Sequence, residues 1–268
     1  MISAGVLGSP ISHSLSPVLH STIYEVLGID ASYKAYEVPS GGLKNFLDDE
    51  GAALNCLSLT MPLKEEALTI ANSVSDISRQ IQSGNTLHKV DGLWHLTSTD
   101  VEGFSHALNF NKCDAKGNVL IFGAGATARA VIAACDGVSD TITVVNRNAD
   151  REKAIRKSGP HSEIHFTSWD SVIDFQKFDL VVNTTPGNTA ASFVDQVQSA
   201  SSTFFEVLYN PWPTELLAQW RKVGGFAIDG LDLLIHQAIS QAVIFTGRSI
   251  DRESITKLLR AAGEKALS

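Results

Sequence analysis

Two rhythms of apolar and polar positions alternate along the first hundred residues. "AGVLG" is a short apolar run of the kind that forms a strand. In "SPVLHSTIYEVLG", Leu19, Ile23, Val26 and Leu27 recur at helical spacing, with Ser16 read as N-cap, Pro17 at the first helical position and Gly28 closing the helix. "ASYKAYEV" reads as the next strand and "GLKNFLDDE" as a short helix. "LNCLSL" follows as a buried strand and "LKEEALTIAN" as a helix. "NTLHK" and "WHLTSTD" are two strands joined by the turn residues Asp91 and Gly92.

Near Val101 the pattern changes. A helix leads in, "NVLIF" is a continuous apolar strand, and "GAGATARAVIAAC" is a glycine-rich turn feeding a helix. The strands "TITVVN", "HFTS", "FDLVVN", "TFFEVLY" and "FAID" follow, separated by helical or loop segments. Such alternation predicts an α/β fold with a mainly parallel sheet covered on both faces. After Gly230 the chain reads as helical to its end, so boundaries are expected near residues 101 and 232.

Composition narrows the chemistry. The net charge of −8 argues against general binding to nucleic acid or an anionic membrane. Cys56, Cys113 and Cys135 are too scattered for a disulfide framework or zinc site, which makes the cytoplasm the expected compartment. The N-terminus lacks the pattern of a signal peptide, and no apolar run reaches membrane-spanning length. His13, His20, His88, His95 and His106 lack ligand spacing and are assigned to surface or packing.

The glycine-rich turn has the context of a dinucleotide site. Gly123, Gly125 and Ala128 form GxGxxA directly between a strand and a helix: the first for the tight turn, the second for close approach of a pyrophosphate, the third for helix–sheet packing. Backbone N–H groups at the helix start then hold phosphate. The next strand ends in "VVNRNADR", with no carboxylate for a ribose 2′-hydroxyl. Asn146, Arg147 and Arg151 stand there instead, and guanidinium groups pair with a 2′-phosphate. NADP is therefore expected over NAD.

Hydride removal from an alcohol also needs a base for the hydroxyl proton. Polar groups set among apolar strands are the candidates: Ser14, Ser16, Thr60, Lys64, Asn85 and Asp100. A lysine oriented by a carboxylate can take that role without a metal. These residues lie in "GSPISHSLSPVLH", "LTMPLKE", "GNTL" and "STD"; together with "GAGATARA", "VNTTP", "YNPWPTELL" and "DGLDLLIHQA", the chain resembles the shikimate dehydrogenase family over nearly its whole length.

The resemblance implies an NADP-dependent enzyme that interconverts shikimate and 3-dehydroshikimate in a cleft between two domains. It implies a substrate-binding domain at residues 1–101, a Rossmann-like NADP-binding domain at 102–231, and C-terminal helices at 232–268 that return to the first domain. Lys64 and Asp100 match the catalytic pair. Ser14, Ser16 and Tyr209 match contacts to the substrate carboxylate, and Thr60, Asn85 and Gln237 match contacts to the ring substituents. Gly123, Ala124, Gly125, Ala126, Thr127, Ala128, Asn146, Arg147, Arg151, Thr184 and Gly230 are implied to line the cofactor site. The family implies a monomer or homodimer with a small-molecule substrate.

The chain departs from the family pattern at Ser58 and Ser98, where asparagine is common, and at Ser83-Gly84, Val101 and Asn188-Thr189. Serine reaches less far than asparagine and lacks its amide donor, so quinate or a related ring acid is an alternative substrate. A non-catalytic sensor of NADP or shikimate is a second alternative, although it has no need of a proton acceptor.

Overall fold

The computed structural model describes residues 2–267 and divides into two units. One runs to Gly103 and resumes at Leu234; the other is Phe104–Leu233. Both boundaries fall inside helices, Asp100–Phe110 and Gly230–Thr246, and not in loops.

The first unit contains β1 (Ile2–Gly8), α1 (Ser16–Leu27), β2 (Ala31–Glu37), α2 (Leu43–Asp48), β3 (Cys56–Leu59), α3 (Leu63–Ile70), β4 (Ser73–Val74), α4 (Asp76–Ile81), β5 (Thr86–Val90) and β6 (Leu93–Thr97). It also takes the start of α5 (Asp100–Phe110). Its sheet has the order β2-β1-β3-β5-β6-β4, with β5 antiparallel to both β3 and β6. Strand parity sorts its residues. Leu7, Leu57, Leu59, Leu87 and Leu96 join one apolar cluster with Leu43 and Leu63. Ser58 and Thr86, a register pair of alternate parity, are buried as well.

Helix α1 begins at Ser16, so Ser16 is not its N-cap as the sequence suggested. The preceding residue, Leu15, is already in helical conformation and no side chain caps the helix; the Ser14 hydroxyl accepts from the Ser16 N–H at 3.3 Å. Gly28 does close it, at φ 61°. The short β4 and α4 carry too few residues to show a period, and sequence pattern missed both.

The second unit contains β7 (Asn118–Phe122), α6 (Ala126–Cys135), β8 (Thr141–Asn146), α7 (Glu152–Ser158), β9 (Ile164–Ser168), β10 (Leu180–Asn183), β11 (Thr203–Glu206), α8 (Glu215–Lys222) and β12 (Ala227–Ile228). Its strands are all parallel, in the order β12-β11-β10-β7-β8-β9. This is the doubly wound arrangement, whose strand order reverses between β7 and β10. The continuous apolar run of β7 is explained by burial on both faces. Val119 and Ile121 enter one core cluster, and Leu120 and Phe122 enter the other.

From Gly230 the chain forms α9 (Gly230–Thr246) and α10 (Arg252–Leu267), and α10 packs on α1. No helix among the described residues is long and apolar enough to cross a membrane.

Candidate active site

Lys64 is the second residue of α3, directly after the turn that ends buried β3. Asp100 is the first residue of α5. The Lys64 amine donates to Asp100 Oδ2 at 2.6 Å, with side-chain exposures of 16% and 7%. The other carboxylate oxygen, Oδ1, accepts from Asn85 Nδ2 at 2.8 Å. Both Asp100 oxygens are thus engaged, which holds the amine in one place.

Asn85 is a junction. Its amide nitrogen also approaches Thr99 Oγ1 at 3.0 Å and Gln237 Oε1 at 3.1 Å, so two protons are shared among three acceptors. Its Oδ1 accepts from the Thr99 N–H at 2.8 Å and the Thr86 hydroxyl at 2.7 Å. The structure therefore gathers Lys64, Asn85, Asp100 and Gln237 into one bonded group.

Behind them lies a polar network that the sequence did not reveal. Gln241 Nε2 donates to the Asn85 carbonyl at 2.9 Å and to Thr86 Oγ1 at 3.0 Å. Gln241 Oε1 accepts from the Ser58 hydroxyl at 2.8 Å and lies 3.2 Å from His20 Nε2. Ser58 in turn accepts from the Tyr33 hydroxyl at 2.6 Å. His20 stacks on the Tyr33 ring at 4.2 Å, and burial pushes its imidazole down to about 4, so it is neutral. Burial also pushes the Tyr33 hydroxyl up, against its hydrogen bond to Ser58. The available signal was the spacing: Gln237 and Gln241 are one helical turn apart in a mostly apolar stretch.

Ser16 is buried at the start of α1, and its N–H donates to the hydroxyl of Ser14 beside it. Thr60 follows β3, with its N–H on the Leu7 carbonyl and its own carbonyl accepting from Leu63. The departures at Ser58, Ser98 and Asn188 all hold hydrogen bonds. The Ser98 hydroxyl accepts from the Asp100 N–H at 3.4 Å. Asn188 exchanges bonds with Glu215 at the start of α8, both at 3.2 Å.

In the second unit, Gly123 directly follows β7 at φ 105°, where a Cβ would lie 2.6 Å from Thr184 Oγ1. Thr184 donates to the Phe122 carbonyl at 2.7 Å, so these two predicted residues meet. Gly125 precedes α6 in extended backbone, and a Cβ there would meet nothing within 4 Å. Its lack of a side chain serves no contact within the protein and leaves room for an external group. Ala124, Ala126 and Thr127 are half-buried around this turn, and Ala128 is fully buried beneath it. No side chain caps the first N–H groups of α6. The space over Gly125 and these N–H groups fit a dinucleotide pyrophosphate.

Asn146 ends β8, Arg147 follows it exposed, and Arg151 lies one short turn further on. Tyr209 is half-buried in the segment after β11. Gly230 has a reason within the protein: a Cβ would lie 2.3 Å from the Leu208 carbonyl group.

The family model described as shikimate dehydrogenase substrate binding domain matches residues 6–87. Shikimate dehydrogenase (NADP(+)) of Leptospira interrogans is 32% identical over 94% of this chain and 92% of its own length. The crystal structure of Mycobacterium tuberculosis shikimate dehydrogenase superposes with a TM-score of 0.86 at 34% identity, covering 97% of this chain and 99% of that one. Shikimate 5-dehydrogenase of Thermus thermophilus, solved in complex with NADP(H) and shikimate, gives 0.85 at 28% identity, covering 98% and 100%. The chain belongs to the shikimate dehydrogenase family.

Proposed function

We propose that this protein catalyses the reversible, NADP-dependent oxidation of shikimate to 3-dehydroshikimate. The observation that carries this reading is the Lys64–Asp100 pair, held at 2.6 Å and tied through Asn85 to Gln237. NADP, when bound, supplies the hydride acceptor. The chain's own residues manage the proton. As the alcohol becomes a ketone its O–H bond breaks, and Lys64 in its neutral form accepts that proton; in the reverse direction the ammonium returns it. Asp100 aims the amine and stabilises its charged form, while Asn85 fixes Asp100.

Gln237, Asn85 and Thr60 present donors and acceptors to the ring substituents, and Ser14 and Ser16, with Tyr209, receive the carboxylate. Gly123 to Ala128, with Thr184, receive the dinucleotide. Asn146, Arg147 and Arg151 receive its 2′-phosphate, which accounts for a preference for NADP over NAD. In this reading residues 1–101 and 232–268 form the substrate domain and 102–231 the nucleotide domain.

The test follows absorbance of the reduced nicotinamide with shikimate and with quinate, each against NADP and NAD. Shikimate with NADP is expected to give the highest kcat/KM. Preferential turnover of quinate, or of NAD, contradicts the assignment; tight binding of both ligands without turnover would make the protein a sensor.

A further inference from the structure

The last register pair between β8 and β9 is Asn146 with Ser168. The next residues on the two strands, Arg147 and Trp169, therefore emerge side by side at the carboxyl edge of the sheet, where ligands of doubly wound folds bind. The Arg147 guanidinium carbon lies 5.3 Å above the centre of the Trp169 ring. The indole is itself fixed from below. Its ring meets Phe122 at 6.0 Å and 74° and Phe193 at 5.1 Å and 76°, both edge-on, and those two rings are buried. Phe122 is the last residue of β7, immediately before Gly123 of the glycine-rich turn. An aromatic stack thus runs from the strand beneath that turn to the guanidinium at the neighbouring strand end.

From this geometry we infer that Trp169 is a positioning residue for coenzyme selection: it holds Arg147 in place to receive a phosphate on the adenosine ribose. The inference rests on the NADP reading above. An exposed arginine has many rotamers, and freezing one on binding costs affinity. The π face of Trp169 restricts the guanidinium beforehand through the attraction between cation and ring quadrupole, and leaves its N–H edge free to form paired hydrogen bonds. A nucleotide lacking the 2′-phosphate gains nothing from this arrangement, so the effect discriminates between NADP and NAD.

The test measures dissociation constants of NADPH and NADH separately, by nucleotide fluorescence, in the wild type, Trp169→Leu, Trp169→Phe, Arg147→Ala and the double variant Arg147→Ala/Trp169→Leu. Trp169→Leu is expected to weaken NADPH by about three-fold, the size of an exposed cation–π contact, with little change for NADH. The kcat at saturating NADP stays at the wild-type value. Trp169→Phe, which keeps a smaller aromatic face, gives an intermediate ratio and serves where the leucine variant does not fold. In the Arg147→Ala background, Trp169→Leu has no further effect on NADPH. Equal weakening of NADPH and NADH, or additive losses in the double variant, would overturn the inference. Should Arg147→Ala remove the NADP preference while both Trp169 variants keep it, the inference alone falls; should Arg147→Ala leave the preference intact, the phosphate-clamp reading falls with it.

Discussion

At Asn85 one carboxamide serves Asp100, Thr99 and Gln237 with its protons and Thr86 and the Thr99 N–H with its oxygen. Burial elsewhere makes two titratable side chains sensitive to pH in opposite senses. His20 is buried neutral, its imidazole pushed down to about 4 from 6.5 by desolvation. The unfolded chain binds that proton first, so stability falls as pH drops from 6.5 through 4, by roughly 3 kcal/mol. Glu206, at the end of β11, is fully buried, and desolvation pushes it up to about 7 from 4.5. Asn183, Thr214 and the Leu208 N–H all donate to it and offset part of that rise. Here the folded state binds the proton more tightly, so its contribution to stability declines between pH 4.5 and 7 and then levels off. Urea unfolding midpoints across this range check both signs: Glu206→Gln removes the decline above pH 4.5, whereas His20→Gln flattens the loss on the acid side. A slope unchanged in either variant contradicts the assignment of that slope.

The glycine-rich element separates two roles that the sequence pattern merges. Gly123 sits at φ 105° with Thr184 Oγ1 in the space of any Cβ, whereas Gly125 has an ordinary φ of −84° and open space. Gly123→Ala is expected to destabilise the fold by about 1–3 kcal/mol through strain and contact. Gly125→Ala keeps the melting temperature but weakens NADP at least about ten-fold, because the methyl group occupies the space proposed for pyrophosphate. A Gly125→Ala protein that binds NADP normally contradicts that placement. Much of this element was legible because its signals are local: the apolar run of β7, the glycines and the small residues of α6 are contiguous. The helix–strand alternation elsewhere was legible for the same reason, as was the turn at Asp91 and Gly92, both of which take positive φ. Local signals failed where an element is too short for a period, as in β4 and α4. At Ser16 the propensity for a cap was overridden by Leu15 already turning into the helix.

Over the whole chain, the substrate-side group depends on contacts that no local pattern carries. Gln237 and Gln241 bond Asn85 and Ser58 across separations of 152 to 183 residues. The pairing of Lys64 with Asp100, 36 residues apart, was reached through family motifs and not from spacing. The first unit is built from both ends of the chain, whereas the second is a continuous stretch with a core cluster on each face of its sheet. A piece spanning residues 104–233 is therefore expected to unfold cooperatively on its own, while residues 1–103 alone are not. Circular dichroism during thermal melting distinguishes the two, and cooperative folding of the shorter N-terminal piece would contradict the account of α9 and α10. The most direct test of the central claim is the turnover of Lys64→Ala with shikimate and NADP. The expected kcat is lower by about 10²–10⁴-fold, the scale of general acid–base catalysis, with NADP affinity and melting temperature preserved; a kcat within a few-fold of the wild type would remove Lys64 from the proton transfer.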